Sequence, residues 1–404
     1  MVDTNISDVL KNLIKQTMDS SSPTKVFFGR KGEEKLGEIL ESFKIKKVLL
    51  HYGRSSIKKS GLYDTVIAQL KAKNIDFVEL GGVDANPKLS LVLKGVEIAK
   101  REKVDLILAV GGGSVIDSSK SIAVGAMVDF SPWKFSIKEE TPKAHIPVGA
   151  ILTISAAGSD MSDSCVITND ETGEKRGFSS EQNRCLFSIL DPELTFTVSK
   201  FQTGCGIVDI MMHTLERYFS DSDESILTDS IAIGLLRTVI VAGKRAIEDP
   251  YDYNARAELM WANSLSHNGL TACGREYVMS VHQMEHEISG MYPEIAHGAG
   301  LGAIWPQWAM VAYKTQIERF KRFAYEVMCV EKTNDEIRDV EAGIQAFKKY
   351  IKDIGMPTSL SELGVKENTL EDLAYNAMFK GKRILKDIIT VDYDMALKIL
   401  KDSF

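Results

Sequence analysis

Apolar and polar positions follow two rhythms along this chain, and the change from one to the other divides it. In the first half, short apolar runs are bounded by glycine, proline or asparagine. Lys25–Phe28, Lys47–Tyr52, Asp76–Leu80, 105–110 and 145–153 read as strands. The segments between them, 29–43, 60–73, 90–102 and 115–127, carry helical spacing. Strands alternating with helices of this length predict βαβ units and a parallel sheet covered on both faces. From about Ser199 the 3.6-residue rhythm takes over. Helices are expected at 206–219, 225–248, 254–268, 280–291, 302–313, 316–328, 334–354 and 370–376, with no clear strand run among them. The expected architecture is an α/β domain with a parallel sheet over 1–197 and an all-α domain over 198–404. No low-complexity linker separates them, so close packing is expected, with the crevice between them as the default ligand site. Ahead of the first strand, Ile6, Val9, Leu10, Leu13, Ile14 and Met18 predict a short amphipathic helix of mixed polar charge. That character suits a packing or dimer element better than a membrane-surface helix.

Composition narrows the function classes. The chain has 404 residues, 44% apolar and 26% charged, with net charge −7, ordinary for a soluble globular protein. An acidic balance offers no cationic excess to replace counterions, which argues against a general nucleic-acid binder. Cys165, Cys185, Cys205, Cys273 and Cys329 are odd in number and form no Cys-x-x-Cys pair, so a disulfide framework is not expected and a reducing, cytoplasmic compartment fits. Asp3, Asp8, Lys11 and Lys15 interrupt any signal-peptide core, and no run of about 18 apolar residues predicts a membrane span.

Candidate chemistry concentrates between residues 205 and 300, where five of the seven histidines lie. Asp209 and His213 are four apart on an expected helix and so share a face, as do His282 and His286. His297 follows in an Ala-His-Gly turn. A single such pair is more often ordinary core or surface. Two pairs and a fourth histidine together suit a divalent metal, since neutral imidazoles and a carboxylate bind Zn²⁺ or Fe²⁺ and leave a position open.

The first half carries a second set of signals. Gly111-Gly112-Gly113-Ser114 follows an apolar strand and opens a helix, where glycines admit a ligand to the backbone and the helix N-terminus favours phosphate. Its spacing is neither Gly-x-Gly-x-x-Gly nor a Walker loop. Asp117 lies one turn on, positioned for a cap or for a ribose or nicotinamide contact. Thr153 opens another small-residue loop running to Asp160, and Lys175 is either a phosphate or ribose ligand or a solvated loop residue. The turn after Lys47–Tyr52 has no acid between Gly53 and Ser60 to hold an adenosine ribose diol. With Arg54, Ser55, Ser56 and Lys58 there instead, the turn leans toward NADP, NAD being the alternative. Trp133, Phe135, Met279, Met284, Met291 and Trp305 are either pocket lining or plain core.

Together these motifs resemble the iron-containing (group III) alcohol dehydrogenases, most closely their butanol dehydrogenase-like branch. The resemblance runs from about Pro23 to the C-terminus. It rests on 23–29, Tyr52-Gly53, Gly111 to Asp117, Leu152 to Ser159, Asp209-x-x-x-His213, His282-x-x-x-His286-Glu287 and Ala296-His297-Gly-Ala-Gly300. It implies a dehydroquinate synthase-like architecture: a dinucleotide-binding α/β domain, a helical domain and a metal in the cleft. By the same resemblance Asp209, His213, His282 and His297 would hold Fe²⁺ or Zn²⁺, and His286 would lie near substrate and nicotinamide, either relaying a proton or only ordering the residues around the ligands. Asn86, Gly112, Gly113, Ser114, Asp117, Thr153, Ser162, Lys175 and Leu194 would contact the cofactor, with Gly53 and Ser55 in the turn that selects it. Two positions depart from the family pattern: Ala157 replaces a threonine and Asp160 a glutamate. The implied activity is reversible hydride transfer between NAD(P) and a primary alcohol such as butanol or its aldehyde, in a cytoplasmic homodimer with no nucleic-acid or membrane partner. Competing readings are a glycerol dehydrogenase-like or dehydroquinate synthase-like enzyme on the same scaffold, and a non-catalytic nucleotide-binding protein.

Overall fold

A computed structural model describes residues 23–221 and 225–404. The N-terminal amphipathic segment lies outside the described residues. The chain forms two compact units. Among the described residues, one takes in 23–199 and 249–264, the other 200–221, 225–248 and 265–404. The units divide at 199/200, and residues 249–264, read from their pattern as part of the helical half, belong with the first unit.

The first unit is built on a six-stranded, all-parallel sheet. Its strands are β1 (Lys25–Phe28), β2 (Lys47–Tyr52), β3 (Asp76–Leu80), β4 (Leu106–Gly111), β5 (Val148–Leu152) and β8 (Phe187–Leu190), in the order β1-β8-β5-β4-β2-β3. Between β5 and β8 the chain makes an antiparallel pair, β6 (Ser164–Thr168) and β7 (Lys175–Ser179). The central strands β4 and β5 are wholly buried, which is why they read as continuous apolar runs rather than alternating ones. Two apolar clusters cover the sheet, one around Leu49, Ile107 and Ala150, the other around Leu50, Leu108 and Ile151. Successive residues contribute to opposite clusters, as the two-residue strand period requires. The chain reverses its winding between β2 and β4, so the loops leaving those two strands flank the point where doubly wound sheets bind ligands. Tyr52 pairs with Val110, and Gly111 with Leu152. Gly53, Gly112 and Thr153 therefore leave the same edge of the sheet.

Strands β6, β7 and β8 escaped the sequence pattern: none exceeds five residues, and β7 contains Gly177. The expected helix 29–43 is a 3₁₀ turn, Gly32–Lys35, followed by α1 (Leu36–Ser42). The helix over 115–127 is α2 (Gly113–Gly125), which begins inside the glycine run.

The second unit is helical. Its central element, α3 (Lys200–Tyr218), is buried almost from end to end and packs against α4 (Ile226–Glu248), α6 (His297–Ala312) and the 3₁₀ turn Leu270–Ala272. α5 (Ser280–Met291) packs on α6. Arg275 and Arg319 donate to the Tyr218 carbonyl at 3.3 and 2.9 Å, cations at the negative end of α3. Helix α4 is long and apolar enough to cross a membrane by length and composition alone, and half of that window is buried inside the protein. The expected helix 316–328 is an α-helical turn, Ile317–Arg322, continued by π-type winding over Phe323–Val327. A two-stranded ladder, Leu385–Lys386 with Thr390–Val391, is the one strand pair described in this unit.

Candidate functional site

Helix α3 places Asp209 and His213 one turn apart, and both are buried. Helix α5 brings His282 to them. Asp209 Oδ1 is 3.4 Å from His213 Nε2 and 3.8 Å from His282 Nε2. The three residues offer ligand atoms all within 4.8 Å of one another. The rings of His213 and His282 lie 4.5 Å apart, and those of His282 and His297 5.3 Å. His297 opens α6 beside this trio and groups at the same spacing with Glu285 and His286, whose ring is 5.5 Å away. The structure thus gathers all five expected residues of this set, His286 lying beyond His297.

Two carboxylates and a fifth histidine that the sequence reading missed complete the cluster. Glu216 Oε2 bonds His282 Nδ1, and Glu285 Oε2 bonds His297 Nδ1. Each acid holds one ring nitrogen, so the other, Nε2, faces away from it. This is the arrangement that orients histidine toward a metal. His267 stacks on His213 at 4.1 Å between centroids. Glu216 carried a legible signal: it follows Asp209 by seven and His213 by three, on the same helix face.

Close approach of the helices depends on two glycines. A Cβ on Gly298 would collide with the Cys205 backbone, so α6 can lie this near α3 only without one. A Cβ on Gly300 would come within 2.8 Å of Glu285 Cγ. The Ala-His-Gly-Ala-Gly run therefore encodes a helix junction as well as a histidine.

The electrostatics fit a cation. Burial, then the neighbouring His267, His282 and Arg217, hold the His213 pKa well below its ordinary value and keep the ring neutral. At His282 burial pulls downward, but Glu216 and Asp209 outweigh it and raise the value to about 9. These carboxylates thus favour positive charge at one point, and a dication there satisfies what a proton otherwise would. Asp209 Oδ1 and His282 Nε2 are buried and have no hydrogen-bond partner. Buried polar atoms left in this state are costly unless an ion or water completes them. One carboxylate with imidazole nitrogens suits Fe²⁺ or Zn²⁺ equally.

Of the expected cofactor residues in the first unit, Gly53, Asn86, Gly112 and Thr153 follow the carboxyl ends of β2, β3, β4 and β5. The Ser114 hydroxyl bonds the Ala85 carbonyl, joining the helix start to the loop of Asn86. A Cβ on Gly112 would collide with Ile154, and one on Gly113 would come within 3.2 Å of Ala157 Cβ. The departure at Ala157 therefore sits directly against the glycine run. Thr153 N–H donates to the Gly111 carbonyl at 3.1 Å. Asp117 is occupied by the protein: Ser159 Oγ bonds one oxygen, and Val166 N the other at 2.9 Å. Ser162 Oγ accepts from buried Lys120 Nζ at 3.2 Å. Lys175 opens β7 as a buried residue, and Leu194 lies in the turn Pro192–Thr195 after β8. The other departure, Asp160, is fully buried and bonded by Asn263 Nδ2 at 3.0 Å and Ser264 Oγ at 2.6 Å.

In the turn after β2, Gly53 has only the Val83 carbonyl, at 3.7 Å, near its missing Cβ. Ser55 precedes the short helix Ser56–Lys59. Arg54 Nε meets Asp84 Oδ1 at 2.6 Å, and Lys88 Nζ lies 3.5 Å from Asp84 Oδ2. An acid thus reaches this turn from the loop after β3. Among the pocket candidates, Trp305, Phe135 and Met284 are core, Trp133 is partly buried against the core, and Met291 is 38% exposed.

The family profile described as iron-containing alcohol dehydrogenase matches residues 23–192, and that of the Fe-containing alcohol dehydrogenase family, C-terminal, matches 203–404. NADH-dependent butanol dehydrogenase A of Clostridium acetobutylicum is 40% identical over 96% of this chain and 100% of its own length. The NADPH-dependent aldehyde reductase YqhD of Escherichia coli is 31% identical over 94% of this chain and 97% of its own. The crystal structure of NADH-dependent butanol dehydrogenase A from Thermotoga maritima superposes with a TM-score of 0.91 at 39% identity, covering 94% of this chain and 97% of that one.

Proposed function

This chain belongs to the iron-containing alcohol dehydrogenase family, and on that premise we propose that it interconverts short primary alcohols and aldehydes, butanol and butanal among them. In this reading Asp209, His213, His282 and His297 hold an Fe²⁺ or Zn²⁺ ion, NADPH is the preferred hydride donor, and the enzyme works in the cytoplasm as a homodimer. The oxidoreductase class and the need for a nicotinamide cofactor and a metal follow from the family itself. The observation that carries the ligand assignment is the pair of orphaned buried atoms, Asp209 Oδ1 and His282 Nε2, facing each other across 3.8 Å.

When bound, the metal supplies Lewis-acid polarisation of the substrate oxygen and the nicotinamide supplies or takes the hydride. The protein's own part is placement. Glu216 and Glu285 fix the His282 and His297 rings so that each Nε2 points one way. A dication held by one carboxylate and three neutral imidazoles would keep net positive charge on the ligand set itself, which suits a developing alkoxide, while Glu216 and Glu285 stand behind the rings. His286, beyond His297, holds the proton exchanged with the substrate oxygen on a ring nitrogen. The glycine run and Thr153 let the cofactor approach backbone amides at the strand ends.

NADPH preference is supported by charge around Gly53. Arg54, Lys58 and Lys88 outnumber Asp84 and Glu79 by one, leaving a net cation where a 2′-phosphate would lie. The test is steady-state kinetics with butanal and both cofactors, before and after exhaustive chelation. Activity should vanish on chelation and return with Fe²⁺ or Zn²⁺. NADPH should be favoured by at least about tenfold in kcat/KM, or about 1.4 kcal/mol, and Gly53→Asp should shrink that ratio. Full activity after chelation would refute the metal assignment, and equal use of NADH would refute the cofactor choice.

A further inference from the structure

Helix α5 presents His282 from its first turn and begins without a cap of its own. The preceding residue, Met279, has φ 60° and ψ 52°, and its side chain makes no capping bond. A non-glycine residue in that left-handed region is strained, and the first-turn N–H groups must find acceptors elsewhere. Glu216 takes two of them, Val281 N at 2.6 Å and His282 N at 3.2 Å. A second carboxylate comes from the other end of the sequence. Asp387 Oδ2 accepts from Ser280 Oγ at 3.2 Å, and the Ser280 backbone also bonds this side chain. Asp387 lies in the turn joining Leu385–Lys386 to Thr390–Val391. Four residues earlier, Arg383 Nη1 donates to Gln283 Oε1 at 2.8 Å, while its Nε holds the Ala377 carbonyl at 2.7 Å. Residues on both sides of His282, Ser280 and Gln283, are thus tied to one C-terminal segment.

We propose that Asp387 is a positioning residue for the metal centre: with Arg383 it fixes the first turn of α5 and so sets where His282 Nε2 lies relative to Asp209. Burial, then the charge of Glu216, push the Asp387 pKa up to about 7. Two acids are therefore held together at one helix end against their mutual repulsion. The inference rests on Asp209, His213, His282 and His297 being the ligands.

The experiment uses full-length wild type, Asp387→Asn and Asp387→Glu, each stripped of metal and titrated with Co²⁺ against a chelator. The visible d–d band reports coordination geometry, and thermal unfolding of the metal-free forms reports structure alone. Asp387→Asn should weaken Co²⁺ binding about tenfold and shift the band, with the metal-free Tm changed by less than about 3 °C. Asp387→Glu should recover most of the affinity. If the asparagine variant does not fold, Ser280→Ala removes only the hydroxyl bond and should move affinity and band the same way by less. Wild-type affinity and band in the variant would overturn the proposal, as would an affinity loss matched by a larger fall in metal-free Tm. Failure of the wild type to bind Co²⁺ would overturn the ligand assignment and this inference with it, and would be seen before any substitution is made.

Discussion

Gly298 matters through what it lacks. Its missing side chain lets the start of α6 rest on the Cys205 backbone, and His297 is the adjacent residue. Gly298→Ala should therefore push the helices apart, costing about 1–3 kcal/mol as overpacking does and moving His297 away from Asp209. Metal content after dialysis and thermal unfolding should both fall. Full metal occupancy with an unchanged Tm would show that the contact is not limiting. His51 is a different case, buried in β2 with Nδ1 2.6 Å from the Leu80 carbonyl and Nε2 2.8 Å from Ser118 Oγ. A carbonyl only accepts, so Nδ1 carries the proton and the serine donates to Nε2. Burial lowers the His51 pKa from 6.5 to about 4, with the Leu80 bond opposing. The folded value lies below the unfolded one. Its contribution is thus complete above pH 6.5 and lost as pH falls toward 4, about 3 kcal/mol in all. Urea unfolding of metal-free wild type and His51→Gln should show a stability gap that narrows from pH 7.5 to pH 4.5, and a constant gap would contradict this.

At the scale of elements, the helix Tyr253–His267 shows how a segment from the helical half of the sequence shapes the α/β unit. Asn263 Oδ1 accepts from the Ala156 and Gly158 amides, both at 2.8 Å, while its Nδ2 reaches Asp160. One side chain thus holds the loop after β5 at three points. The shorter acid at 160 is accommodated because Asn263 and Ser264 come to it. Asn263→Ala would leave two amides and a buried carboxylate short of partners, each worth about 1–3 kcal/mol. The variant should unfold at lower temperature and show a KM for NADPH raised about tenfold, with kcat nearly kept at saturating cofactor. An unchanged KM would mean that the loop holds its shape without this contact.

For the whole molecule, the expectation is a homodimer. Strand β1 lies at the edge of the sheet, with Phe28 exposed and packed edge-on against Trp261. Among the described residues β1 pairs on one side only, with β8, and such a strand edge invites pairing. Light scattering should give about twice the chain mass of 44.7 kDa at micromolar concentration. A monomer there would refute the dimer.

Sequence alone determined whatever depends on short-range period. Helical spacing put Asp209 with His213 and His282 with His286, and alternating strands and helices foretold a parallel sheet with the glycine-rich loop after β4 at its carboxyl edge. These are local consequences of backbone geometry, and tertiary contacts did not have to be known to state them. Tertiary structure decided what joins distant residues. Glu216 reaches His282 across 66 positions, Asn263 reaches Ala156 across 107, and Asp387 reaches Ser280 across 107. No periodicity links such pairs, because their meeting depends on how helices pack. The short strands β6 to β8 were hidden for a related reason: a run of four or five residues carries too little pattern, and its pairing partner defines it. The cation-favouring balance at His282 arises the same way, since α3 supplies both carboxylates and α5 the ring.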